Sequence, residues 1–136
     1  MEDCCHVLLA QNNGPLNTDT QSVLLRAGYL VSAVITNWRD TVTLADQLKP
    51  DLLVFELAEP EKRAAVEAVD RCCERLGIPL LLLAPAEVLA KMEWLHDACK
   101  HAVVVASSTE ADLRRSAAAA LGEHERFFGE GAVKAE

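Results

Sequence analysis

The chain has 136 residues, of which 51% are hydrophobic and 25% charged, an ordinary globular composition that excludes a disordered or collagen-like polymer. Lys and Arg number 13 against 21 Asp and Glu, a net charge of -8 with no basic run, so direct nucleic-acid binding is not expected. The longest apolar run, Ile78 to Pro85, suits a buried strand and is far too short to span a membrane.

The start, Met1-Glu2-Asp3-Cys4-Cys5-His6, puts acids where a signal peptide carries basic residues, so a cytoplasmic protein is expected. Thiols in that compartment stay reduced. Cys4, Cys5, Cys72, Cys73 and Cys99 are read as small apolar side chains, because two adjacent pairs lack metal-ligand spacing. No metal or cofactor is expected.

Short branched runs predict strands at Val7–Leu9, Leu30–Ile35, Leu52–Leu57, Leu80–Leu83 and Val103–Val105. The last three hardly alternate, as in a parallel sheet covered on both faces. Amphipathic stretches lie between them. Thr18 to Ala27 opens with a capping box, Thr18 with Gln21, and stops at Gly28. Asp40 to Leu48 follows, with Trp38 in the loop before it, and then Glu61 to Leu76, which ends at Gly77. Ala86 to Cys99 carries an inward stripe of Val88, Leu89, Met92, Leu95 and Cys99, and the last helix begins near Thr109. Successive β-α units of this kind predict an α/β domain, a five-stranded parallel sheet with helices on both faces and right-handed crossovers. The domain is expected to span residues 1–121. Residues 122–136 are read as the end of the last helix and a flexible tail.

Four segments resemble response-regulator receiver domains: Val7 to Asn13, Gly28 to Val31, Pro50 to Pro60, and Ile78 to Leu83, with Gly28-Tyr29, Pro50-Asp51 and Ile78-Pro79 as landmarks. The resemblance spans about residues 6 to 121 and implies a (βα)5 flavodoxin-like fold with strand order 2-1-3-4-5. In that family an aspartate ending the third strand accepts a phosphoryl group. An acidic pair after the first strand holds Mg²⁺, and a hydroxyl and a lysine after the fourth and fifth strands bind the phosphoryl oxygens.

The matching positions here are Gln11 and Asn12 for the acidic pair, Glu56 for the acceptor, Ala84 for the hydroxyl and Ala106 for the lysine. These changes remove metal, acceptor geometry and charge stabilisation together. The resemblance therefore implies a degenerate pseudo-receiver, most similar to the unphosphorylated receivers of AmiR/NasT-type antitermination regulators. Glu56 is open to two readings: an imitation of the phosphorylated state, or a carboxylate at a solvated strand end.

No other constellation carries catalysis. His96 and Cys99 lie three apart but make only two ligands, Asn12-Asn13-Gly14-Pro15 is a turn signal, and Ser107-Ser108-Thr109 reads as a helix cap. An enzyme is not expected. On a continuous fourth helix, Trp94 falls opposite the core stripe beside Glu87, Lys91 and Ala98, which marks these residues as interface candidates. The expected function is a phosphorylation-independent protein-protein interaction module in signal transduction or transcription regulation, docking a partner or a second copy. The alternative is a sensor with a small ligand in the vestigial pocket.

Overall fold

The computed structural model describes residues 5–12, 20–60, 62–99, 102–106 and 110–128, with backbone only at 12 and 123–128. In chain order these form β1 (His6–Asn12), α1 (Thr20–Arg26), β2 (Leu30–Ile35), α2 (Trp38–Leu48), β3 (Leu52–Leu57) and α3 (Arg63–Leu76). The second half holds β4 (Leu80–Ala84), α4 (Ala86–Ala90), α5 (Leu95–Ala98), β5 (Val103–Ala106) and α6 (Glu110–Phe128). The strands make one parallel sheet in the order β2-β1-β3-β4-β5, as expected.

The apolar runs sort by parity onto the two sheet faces. Leu8, Ala10, Leu53, Phe55, Leu57, Leu80, Leu82 and Ala84 face the layer of α2, α3, α4 and α5. Val7, Leu9, Leu52, Val54, Leu81 and Leu83 face α1 and α6, where Val23, Leu24, Leu113, Ala117 and Ala120 close the second core. Every residue of β3 and β4 is buried, which is why those segments show no alternation. The β2 edge differs. Its register jumps from Val7↔Val31 to Leu8↔Ala33, so Ser32 is an extra residue, and Leu30 and Val34 remain exposed.

The helix stops follow local chemistry. Gly28 and Gly77 both take positive φ, +98° and +73°. At the end of α3 the Ile78 amide reaches the Cys73 carbonyl at 2.9 Å, closing a left-handed cap. Lys49 ends α2 in the same conformation at φ 46° without being glycine, held by its amide on the Ala45 carbonyl at 2.9 Å. Strand registry is pinned at this same amino end of the strands, where Asp51 Oδ2 accepts from the His6 amide at 2.8 Å and the Asp51 amide donates to the His6 carbonyl at 2.8 Å.

Several boundaries depart from the expectations. Trp38 is not in a loop: α2 starts there, because Asn37 Oδ1 accepts from the Arg39 amide at 2.8 Å and supplies the cap. The helix from Ala86 to Cys99 is broken into α4 and α5. Between them the Lys91, Met92 and Leu95 amides bond to Val88, Leu89 and Met92, three residues back, each at 3.0 Å. That tighter spacing stacks Met92, Leu95 and Ala98 on one side and turns all of them into the core. Thr18, Ser107, Ser108 and Thr109, proposed as caps, lie outside the described residues.

Candidate functional site

At the carboxyl end of the sheet, β1 and β3 run in register with Gln11 opposite Glu56 and Asn12 opposite Leu57. Gln11 and Glu56 share the parity of Leu9 and Val54, so both point to the α1–α6 side. There Gln11 Nε2 donates to Glu56 Oε1 at 2.9 Å, and Thr20 Oγ1, on the first residue of α1, donates to Glu56 Oε2. Glu56 is 0% exposed and Thr20 1%. The expectation of a carboxylate at a solvated strand end is therefore overturned. Glu56 turns away from solvent and is held by side chains on two neighbouring elements.

The remaining vestigial positions do not join this cluster. Ala84 is fully buried but has the parity of Leu82, so it belongs to the opposite face of the sheet. Its register partner is Ala106, at the exposed end of β5. Asn12 is placed by its backbone alone, beside Leu57. Gln11 and Glu56 are brought together on one face, and Ala84 and Ala106 are paired apart from them. Neither alanine offers a hydroxyl or a cation for a phosphoryl oxygen.

Thr20 is the participant that the sequence reading missed. The signal was available: Thr20, Val23 and Leu24 fall at i, i+3 and i+4, so a threonine sits on the apolar stripe of its helix. A buried hydroxyl needs a partner, and the buried carboxylate supplies one. The capping pattern at Thr18 drew attention two residues too early.

The proposed interface residues separate. Glu87 and Lys91 are exposed. Ala98 is only 6% exposed and belongs to the core, so its placement on an outer face is corrected. Trp94 is not on a wet helical face either: it is half-buried at the turn before α5 and packs against the core cluster on the α2–α5 side of the sheet. The change follows from the break in the helix, since the 100° spacing that put Trp94 opposite Val88 does not hold through the turn. Among the described residues the exposed large apolar side chains are instead Leu25, Leu30, Val34 and Leu48, on α1, β2 and α2.

The thiols sit as apolar residues do. Cys72, Cys73 and Cys99 are buried in the α3–α5 layer. Burial raises the Cys99 pKa from 9.0 to about 12 with help from nearby Asp70, and it raises that of Cys73 further. Such thiols are poor nucleophiles. His96 is exposed while Cys99 is buried, and no group of three or more candidate metal ligands occurs among the described residues. No helix among the described residues is long and apolar enough to cross a membrane.

No protein-family model matches the chain, and no curated protein matches it by sequence. Solved structures do match its fold. The signal receiver domain of a modulated diguanylate cyclase from Desulfovibrio desulfuricans superposes with a TM-score of 0.71 at 19% identity, covering 90% of this chain and 98% of that one. A CheY-like response regulator receiver domain from Methanospirillum hungatei gives 0.69 at 16% identity, covering 92% and 99%. Part of a methanol:cobalamin methyltransferase complex from Methanosarcina barkeri also matches, with 0.62 at 16% identity over 87% of this chain and 46% of that one. At these identities the likeness is one of fold. The chain has the flavodoxin-like fold of receiver domains, and its sheet end carries a buried glutamate where the sequence resemblance places the phosphoacceptor.

Proposed function

We propose that this protein is a pseudo-receiver: a receiver-fold module of signal transduction or transcription regulation that works by protein-protein contact without phosphorylation. One observation carries the reading. The carboxylate at the acceptor position is fully buried and both its oxygens accept hydrogen bonds from protein donors, Gln11 and Thr20. A phosphoacceptor must present an oxygen to an incoming phosphoryl group with a metal and a cation beside it. Glu56 is withdrawn from solvent, and the positions for hydroxyl and lysine hold Ala84 and Ala106. The likeness to AmiR/NasT-type receivers and a cytoplasmic location belong to the same proposal.

The imitation of a phosphorylated state loses ground on the same geometry, because both Glu56 oxygens face internal donors rather than the pocket mouth. The sensing alternative has no comparable support, since a ligand at Glu56 must first displace Thr20. For the contact surface, the fourth-helix face retains Glu87, Lys91 and the open side of Trp94 as its candidates, with a protein partner or a second copy as occupant. Incubation with Mg²⁺ and acetyl phosphate, followed by intact-mass spectrometry, tests the central claim. The expected result is an unchanged mass; a stoichiometric, acid-labile adduct overturns it.

A further inference from the structure

We propose that Thr20 is an internal ligand of Glu56, a latch that holds α1 in one position and so replaces the switchable pocket with a fixed surface. The inference deepens the pseudo-receiver reading and rests on it.

The case begins with α1 itself. At seven residues, Thr20–Arg26, it is too short to persist without tertiary support. Val23 and Leu24 anchor its middle in the α1–α6 core. Its two ends are tied by polar contacts to different elements. At the start, Thr20 Oγ1 donates to Glu56 Oε2 on β3. At the finish, Arg26 makes a forked contact to Glu110 of α6, Nη2 to Oε1 at 2.9 Å and Nε to Oε2 at 3.3 Å. The second tie is exposed and weak. The first is buried, where an unmade hydrogen bond costs the most, so it carries the larger share.

Side-chain length matters to this arrangement. Glu56 bonds Gln11 across the register pair and Thr20 on the next layer at once. Shortening it to aspartate retracts the carboxylate by about 1.5 Å, the length of one C–C bond. That takes the 2.9 Å contact to Gln11 beyond hydrogen-bonding range and leaves Thr20 buried without its acceptor. On this view the extra methylene is what lets the strand-end carboxylate reach α1.

Native-state hydrogen exchange on the full chain tests the latch. Thr20→Val keeps shape and removes the hydroxyl, Thr20→Ser keeps the hydroxyl, and Glu56→Asp keeps the carboxyl group but shortens the reach. The expected result is that α1 amides lose at least about tenfold more protection than α3 and β4 amides in Thr20→Val and Glu56→Asp, with Thr20→Ser close to wild type. Wild-type protection of α1 in Thr20→Val overturns the proposal. An equal loss across α1, α3 and β4 in both Thr20→Val and Glu56→Asp also overturns it, because Thr20 is then a general stability residue. The wild-type phosphorylation assay reads the other claim separately: an adduct there overturns the pseudo-receiver reading, whereas the exchange pattern alone decides the latch.

Discussion

Gln11 and Glu56 are register partners on adjacent parallel strands, and the Gln11 amide donates to the Glu56 carboxylate at 2.9 Å. A glutamine is what that neighbour needs to be. An acid at Gln11 would set two carboxylates side by side in a buried site, and one would have to take up a proton. Neutral Gln11 and long Glu56 therefore belong together.

Replacing Glu56 follows from this pairing. Glu56→Ala leaves the Gln11 amide and the Thr20 hydroxyl without their acceptor and opens a cavity, so a loss of about 2–4 kcal/mol is expected. Glu56→Gln preserves the volume and one acceptor, and costs less. Urea unfolding of the two variants checks the order; equal midpoints for Glu56→Ala and wild type contradict a buried, bonded carboxylate.

Trp94 behaves as a packing residue before it acts as anything else. Its contact with the core layer predicts that Trp94→Ala lowers stability by about 1–3 kcal/mol, below the value for a fully buried tryptophan. Glu87→Ala and Lys91→Ala, both at exposed sites, should stay within about 0.5 kcal/mol. Thermal scans of the three variants decide, and sedimentation on the same samples shows whether any association moves separately from stability.

Alkaline pH is expected to destabilise the fold through its thiols. Burial raises the pKa of Cys72, Cys73 and Cys99 in the folded state, Cys99 from 9.0 to about 12. The unfolded chain releases those protons first, so their contribution is intact below the unfolded value and is lost as pH rises between 9.0 and about 12. Unfolding midpoints should fall across that window, and Cys99→Ala should flatten the slope. In native protein Cys73 and Cys99 should react slowly with a thiol reagent compared with the partly exposed Cys5.

The Arg26–Glu110 contact has the opposite sign. Hydrogen bonding and charge from Arg26 hold the Glu110 carboxyl below its usual value, so the contact is present above the unfolded carboxyl pKa and fades as pH falls through the folded one. Both groups are exposed, and salt should weaken the tie. NMR titration of Glu110 in wild type and Arg26→Ala is expected to show its midpoint rise in the variant, more at low than at high ionic strength.

The strands were legible because burial on both faces leaves apolar runs without alternation, as in Leu80–Ala84 and in Leu52–Leu57, broken there only by Glu56, and glycine at positive φ marked the ends at Gly28 and Gly77. The helix from Ala86 to Cys99 was misread because periodicity assumes one spacing throughout. Nothing local in Lys91-Met92-Glu93-Trp94 announces the tighter turn, which answers the need to bury Met92, Leu95 and Ala98 together.

Residue types at single positions were legible directly: Gln11, Ala84 and Ala106 carry no carboxylate, hydroxyl or cation wherever they lie. What Glu56 does was beyond local reading. Its partners stand 45 and 36 residues away, and only the parallel register of β1 with β3 and the seat of α1 on that face bring Gln11 and Thr20 to its two oxygens. A carboxylate's role depends on whether water or protein donors surround it, and that is decided by packing between segments distant in the chain.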